Sequence, residues 1–513
     1  MIPPDDQDTK VKVSREAVVD AVLPPEQQIL NNAESSADSK VGDQDLGAPP
    51  SAQPQSTEFN LVVEIADGTD RAISTDANAP AATTAQSVPA DQASDQLNSS
   101  DQAATSRTAS ALGLEQAGSD LLPATPTVDE LKTALTQVER QRLAANPAVL
   151  QVRFTAMPKA QQGDLDGFLD LTLVSPHAPV QAKRVEVNRQ RFAGLLKALY
   201  RQLSRQEPMA VENPASPTRQ LNALLLQPLQ EALQAQQIQT LLIAADQGLQ
   251  AVPFAALSDG STYFGDRYAF GLTPSLALTP LAPAASASQR QLALGASQFE
   301  SLAPLPLVPQ ELQRIDSLDG ADRYLNADFT PQALLDRAAD QRYNRLHVAT
   351  HADFRPGGPA KSVIHTGSGP MSMAQFARLR RERQDQPLDL VVLSACRTLL
   401  GDKDSELGFA GLALQAGARS AIGTLWYVDD VVTSAFFVQF YRFLDQGVPK
   451  AEALLRTRQL FSSGGIRLVD DQVLGAGGAP LLNELSPAQR RRIAAGVQNP
   501  FFWAGIELVG SPW

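Results

Sequence analysis

The plainest pattern along the chain lies in its second half. Short unbroken apolar runs, RLHVAT (345–350), LDLVVLS (388–394) and RSAIGTLW (419–426), alternate with longer stretches whose apolar residues recur every three or four positions. An unbroken apolar strand is expected where both sheet faces are covered. Alternation of such strands with helices predicts a mostly parallel sheet between helical layers. MSMAQFARLRR, ELGFAGLALQAG, DDVVTSAFFVQFYRFLDQG and PKAEALLRTRQLF carry the helical spacing; Gly417 stops the second and Pro449 opens the fourth. The alternation starts upstream, with strands at TLLIAAD (240–246) and QLALGAS (291–297) and helices at PQELQRIDSL and TPQALLDRAAD.

Residues 126–235 predict an N-terminal α/β extension. LQVRFTAM and FLDLTLVS have the look of a hairpin or meander, flanked by helices at VDELKTALTQVERQRL, RQRFAGLLKALYRQL and RQLNALLLQPLQEALQAQ. Residues 236–513 form the expected core, with Trp503 and Trp513 packing a closing strand. GAGG at 475–478 is expected to be a flexible connection.

Residues 1–125 break the pattern. They hold one aromatic residue, Phe59, among Ala, Ser, Asp, Gln, Thr and Pro. Such a segment buries too little apolar surface to offset the entropy of ordering, so a disordered acidic arm is expected. The exception is EFNLVVEIADGT (58–69), a short strand or docking motif set against the plainer reading of a solvated patch.

Charge sharpens that boundary. The chain carries −13 overall, but residues 1–125 hold 20 acidic and 6 basic side chains and residues 126–513 hold 36 and 37. The nearly balanced remainder argues against a nucleic-acid-binding surface. No run of 18 apolar residues is present, so no membrane span is expected. The start, MIPPDDQDTK, lacks the layout of a secretory leader, and a cytoplasmic location is the expectation. A single cysteine excludes an intrachain disulfide and a multi-cysteine zinc site. No G-x-x-x-x-G-K-[ST], G-x-S-x-G or H-E-x-x-H motif occurs. No cofactor or metal is called for.

The candidate chemistry sits at two strand ends. In open α/β sheets functional groups collect at the carboxyl ends of strands. His351 ends one strand and Cys396, the sole cysteine, ends the next; if those strands are neighbours, both side chains enter one crevice. A thiol with a pKa near 8.5 needs a base, and an imidazole can take its proton and return it to a leaving amine. The backbone N–H groups of Cys396 and Ala352 are candidates to polarise the attacked carbonyl. His347 lies inside its strand and is expected to be packed. The competing reading of Cys396 is a small buried hydrophobe.

The flanking words point one way. THADF, VVLSACRT and ELGFAGLALQAGARSAIGTLWYVDD, with TLLIAADQGLQAVPFAALSDG and LTPSLAL before them and AEALLRTRQ and NPFFWAGIELVGSPW after, resemble the CHAT domain family of caspase-like cysteine peptidases, of clan CD type. The resemblance covers roughly residues 130–513. It implies a caspase-like α/β/α sandwich and a dyad at His351 and Cys396, 45 residues apart. It departs from the family at Ala352, where Gly is common, and in lacking the tetratricopeptide repeats often joined to the domain.

Related peptidases usually fix a charged side chain before the cut bond. Asp429 and Asp430, in the loop after Trp426, are candidates to hold Arg or Lys, with helix capping as the alternative; Asp353 and Asp404 are weaker ones. The basic clusters RLRRERQ (378–384) and QRRRIA (489–494) are expected to be solvated helix faces and, for an enzyme preferring basic residues, possible self-cleavage sites. The expectation is an endopeptidase acting on protein or peptide substrates, with room for a regulatory protein partner. A signalling scaffold on the same fold and a redox sensor at Cys396 stay open as alternatives.

Overall fold

Strands from both halves of the chain join in one large sheet. The computed structural model describes residues 85–111, 123–158, 163–246, 248–282, 290–315, 322–353, 361–383, 386–394, 411, 414, 416–426 and 428–513. All belong to one unit, Val63–Trp513. The stretch 58–69, Cys396, Asp404 and most of the helix expected over 406–417 lie outside the described residues.

The strands are β1 (Gln86–Ser87), β2 (Pro147–Ala156), β3 (Gly167–Val174), β4 (Gln181–Val187), β5 (Thr240–Ala245), β6 (Ala269–Thr273), β7 (Gln291–Gly295), β8 (Asp322–Leu325), β9 (Arg345–Ala349), β10 (Ala352–Asp353), β11 (Val363–Thr366), β12 (Gly369–Ser372), β13 (Leu390–Ser394), β14 (Ser420–Thr424), β15 (Arg467–Val469), β16 (Gln472–Leu474), β17 (Pro480–Leu482) and β18 (Ile506–Gly510). The helices used below are α1 (Ala90–Ala111), α2 (Val128–Arg140), α3 (Arg189–Ser204), α4 (Val308–Ile315), α5 (Asp430–Asp445), α6 (Lys450–Ser462) and α7 (Pro487–Ile493).

Twelve described strands form the main sheet in the order β1-β4-β3-β2-β5-β6-β18-β14-β13-β9-β7-β8. β2, β5, β6 and β18 run parallel, as do β14, β13, β9, β7 and β8. The two blocks meet antiparallel where β18 pairs with β14. The carboxyl ends of β5 and β6 therefore lie on the opposite edge from those of β14, β13 and β9. This is the mixed α/β, mostly parallel fold that the alternation predicts. β2 to β4 form the expected antiparallel meander, yet they continue the same sheet as β5, so the extension shares its backbone hydrogen bonding with the core.

Local sequence explains most elements. β5, β9, β13 and β14 are buried at every residue. α2 buries Leu131, Leu135 and Val138 and starts with a capping box between Thr127 and Glu130. The helix expected over 219–236 instead breaks into Pro217–Leu225, a tight turn at Gln227–Leu229 and Gln230–Ala235. Pro228 causes the break, since it lacks an N–H and clashes with the carbonyl one turn back.

The largest correction falls in the acidic arm. Residues 86–111, read from sequence as disordered, form β1 and the 22-residue helix α1. Ala93, Leu97, Asp101, Ala104, Thr105 and Thr108 are buried along one side. Leu97 packs with Leu131, Leu135, Val149, Val174, Leu242, Leu276 and Trp513. Polar anchors complete the seating. The Asp101 carboxylate accepts from the Leu276 and Ala277 N–H groups at 2.6 and 3.1 Å, Thr105 Oγ1 lies 2.7 Å from Ser275 Oγ, and Arg107 pairs with Asp246 at 2.6 Å. A small-residue, polar stripe is nearly invisible to a periodicity that looks for Leu, Ile and Phe. Asp101→Ala should leave the buried Leu276 N–H and the half-buried Ala277 N–H without this acceptor and lower stability by about 1–3 kcal/mol. Hydrogen exchange should then show lost protection over α1 ahead of the rest of the sheet.

One buried acid sits near the junction of the two blocks. Glu507 lies on β18 opposite Gly423 of β14, and burial pushes its carboxyl up to about 8, with Arg458 opposing. An unfolded-state Glu titrates near 4.5, so the folded chain holds the extra proton between those values. Stability should therefore fall as pH rises from about 4.5 to about 8 and level off above. Glu507→Gln should flatten that slope in urea unfolding; an unchanged slope would assign it elsewhere. No helix among the described residues is long and apolar enough to cross a membrane.

Candidate active site

β9 and β13 are adjacent and parallel, with Ala349 opposite Ser394. The neighbouring-strand condition set from sequence is met. The Thr350 N–H donates to the Ser394 carbonyl at 3.2 Å, and the Ala296 N–H donates to the Ala349 carbonyl at 3.0 Å. Three strand ends are thus tied together directly below His351.

His351 is held on every side. Its ring is 7 % exposed as a residue and packs on Phe299 with centroids 4.8 Å apart. Its backbone carbonyl accepts from the His365 N–H at 3.0 Å. Its Nε2 lies 2.8 Å from the Ala303 carbonyl, which only accepts, so Nε2 carries the proton in this contact. The basic nitrogen of the neutral ring is then Nδ1. Burial draws the pKa below 6.5, the Ala303 contact opposes this, and His365 adds a smaller downward push. The neutral base is therefore favoured at neutral pH.

The hairpin after His351 carries a second imidazole. β10, β11 and β12 form a small antiparallel sheet in which Ala352 faces Ile364. His365 Nε2 lies 3.0 Å from Asp353 Oδ2. Asp353, a sequence candidate for a substrate pocket, is thus engaged by His365. His365 and the Ala303 carbonyl were not singled out from sequence. The first was visible as one of four histidines; the second is backbone and leaves no side-chain signal.

His347 is buried as expected. Its Nε2 lies 2.9 Å from Glu311 Oε1 of α4, Ser434 donates to the other oxygen at 2.7 Å, and the ring meets Phe437 and Tyr441 edge-on. This network fixes α4 and α5 on the sheet.

Asp429 and Asp430 follow the carboxyl end of β14, on the same sheet edge as His351. Asp429 caps α5, accepting from the Val431 N–H at 2.9 Å. Both acids also meet Arg492 of α7, with Nε 2.9 Å from Asp429 and Nη2 2.6 Å from Asp430. Burial, then the Asp430 charge, raises Asp429 to about 6, with Arg492 opposing. Trp426 requires correction. It is 4 % exposed, its Nε1 donates to the Phe501 carbonyl at 2.8 Å, and its ring lies edge-on to Tyr200 of α3. Gly505 admits the ring, since a Cβ there would lie 2.6 Å from it. Trp426 is core packing, closed to a substrate.

Among the described residues no group of three or more His, Cys, Asp or Glu side chains is placed to hold a metal.

The described strands form a mixed α/β fold with a large, mostly parallel central sheet and a histidine just beyond the end of β9. The chain belongs to the CHAT domain family, whose model matches residues 215–511. No curated protein matches it. Among solved structures it is similar to Saccharomyces cerevisiae separase in complex with securin, at 11 % identity and a TM-score of 0.42, over 74 % of this chain and 30 % of that one. It is also similar to the pro- and mature domains of Porphyromonas gingivalis RgpB, at 7 % identity and a TM-score of 0.34, covering 57 % and 70 %. The Arg-specific cysteine proteinase gingipain R gives 9 %, 0.34, 56 % and 68 %. The match thus spans less than a third of the separase chain.

Proposed function

We propose that the chain is a cysteine endopeptidase that hydrolyses peptide bonds of protein substrates, with Cys396 as nucleophile and His351 as base and then acid. The observation that carries this reading is the register of β9 and β13. His351 follows Ala349 by two residues, Cys396 follows Ser394 by two, and Ala349 and Ser394 are paired. Cys396 lies outside the described residues; the reading takes it as two residues, at most ~7 Å of chain, beyond Ser394.

In this reading Nδ1 takes the Sγ proton while Nε2–H stays on the Ala303 carbonyl. The thiolate attacks the peptide carbonyl carbon, and the Cys396 and Ala352 N–H groups take the developing oxyanion. The His365 N–H donates to the His351 carbonyl and Ala352 faces Ile364 in the next pair, so the alternation of antiparallel pairing turns the Ala352 N–H away from β11. The intermediate collapses, the C–N bond breaks, and the imidazolium gives its proton to the leaving amine. Water, deprotonated by the imidazole, then releases the acyl group and restores the thiol.

Preference for Arg or Lys before the cut bond follows from the acid pair Asp429 and Asp430. A second reading, a weakly active or inactive signalling scaffold, is favoured by one observation: Arg492 already fills that pair. A panel of fluorogenic peptides with Arg, Lys, Asp, Leu or Met at the cleaved position decides between them. Turnover that Cys396→Ala abolishes supports the peptidase. Intact peptides, with and without cell extract and calcium, support the scaffold.

A further inference from the structure

Asp429 and Asp430 are sunk in the protein, with side chains 14 % and 16 % exposed, whereas Arg492 reaches them from a side chain 39 % exposed. An ordinary surface ion pair exposes both partners. Here the cation alone faces solvent, as a bound ligand would. The guanidinium bridges two carboxylates through Nε and Nη2, the two-pronged geometry that suits arginine.

We propose that Asp429 and Asp430 form a guanidinium-binding site that the chain's own Arg492 occupies, and that α7 must leave before a basic side chain of another polypeptide can enter. The identity of the incoming chain as substrate rests on the peptidase reading; the site itself does not.

The helix that carries Arg492 is lightly held. α7 has seven residues, of which only Gln489 and Ile493 are buried. Arg491, Arg492, Ala494 and Ala495 are exposed. Gly496, at a φ of +91°, lets the chain turn sharply just beyond the helix. The acids, by contrast, are fixed: Asp429 is the cap of the 16-residue helix α5, and Asp430 is its first residue. A rigid acidic receptor thus meets a cation on a detachable element. Competition between an internal and an incoming guanidinium lowers the apparent affinity of the latter by the fraction of open molecules.

The test uses the full chain and methylguanidinium as the probe. Arg492→Ala should gain a saturable rise in melting temperature with millimolar methylguanidinium. Wild type should not, nor should the triple variant Arg492→Ala, Asp429→Asn, Asp430→Asn, in which Asn keeps the helix cap. A destabilised Arg492→Ala without saturable rescue would make the contact purely structural and overturn the proposal. If Arg492→Ala does not fold, Arg492→Lys, which loses the two-pronged grip, carries the same titration, and absence of saturation there counts equally against the site. In the peptide assay Arg492→Ala should raise kcat/KM for Arg peptides about tenfold or more, with Leu peptides unchanged. Rescue by methylguanidinium without any peptide turnover leaves the site standing and sinks the peptidase. Turnover in which Arg and Leu peptides shift alike leaves the peptidase standing and sinks the site.

Discussion

His351→Ala is expected to lower kcat/KM for the best peptide by about 10²–10⁴, the range that a positioned general base and acid supplies. Cys396→Ala should cost at least as much, and the double variant little more than either alone, because the two groups act as one unit. The pH profile adds a readout that a merely structural histidine would not move. Burial on Phe299 and below the β9 end holds the His351 pKa under 6.5, so the neutral base persists as pH falls past that value. The acid limb of kcat/KM should therefore sit below 6.5 in the wild type. The Ala303 carbonyl supplies a second test. It fixes the proton on Nε2, so nitrogen-detected NMR at neutral pH should show the Nε2–H tautomer. An Nδ1–H tautomer would remove the base from the position the mechanism requires. An intact pH profile in His351→Ala would remove His351 from catalysis altogether.

The strand frame of the candidate site was legible in the sequence, and the physical reason is the strand. An apolar run such as LVVLS has one stable place, the middle of a covered sheet, and whatever follows it emerges at the edge. The two strand ends that precede His351 and Cys396 were legible as such runs, and the observed pairing of Ala349 with Ser394 bears out their adjacency; Cys396 itself lies outside the described residues. Contacts between distant segments were not legible. Ala303 contributes only a carbonyl, and any residue type could stand there. Arg492 lay in a run of three arginines, and sequence gave no means of telling which of them turns inward to Asp429 and Asp430. The α1 helix failed for a different reason. It buries Ala, Thr and an aspartate, and hydrogen bonds to strand-end loops supply what its apolar content does not. Trp426 failed because an aromatic residue near a strand end serves equally well as wall or as core.

The arginine cluster at 378–384 shows the same limit and carries the second large effect. Arg378, Arg380 and Arg381 are exposed, as a solvated face requires, but Arg383 is 3 % exposed. Its Nη1 donates to the Ala338 and Asp340 carbonyls, both at 2.8 Å, its Nη2 to the Tyr343 carbonyl at 2.6 Å and its Nε to the Gln386 carbonyl at 3.0 Å. The first three carbonyls belong to the end of the helix Pro331–Ala339 and to the turn that leads into β9, and the fourth to the segment that leads into β13. A cation there satisfies carbonyls that a helix end leaves without intrahelical donors. Arg383→Ala removes every one of those donors and opens a cavity, and a loss of about 3–5 kcal/mol is expected in urea unfolding. Arg383→Met restores most of the volume without the donors and should recover only a minor part. Arg383→Lys keeps the charge but not the fork and should fall between them. Equal stability of the Met variant and wild type would show that Arg383 acts by filling space. The same geometry selects among the possible self-cleavage sites. A side chain tied to four carbonyls cannot enter a peptidase cleft in the folded protein, whereas Arg491 is exposed on α7 beside Arg492, which turns to the acid pair. Cys396-dependent fragments in an intact-mass experiment should therefore end within 490–492 and not at 383, unless the chain has first unfolded around β9.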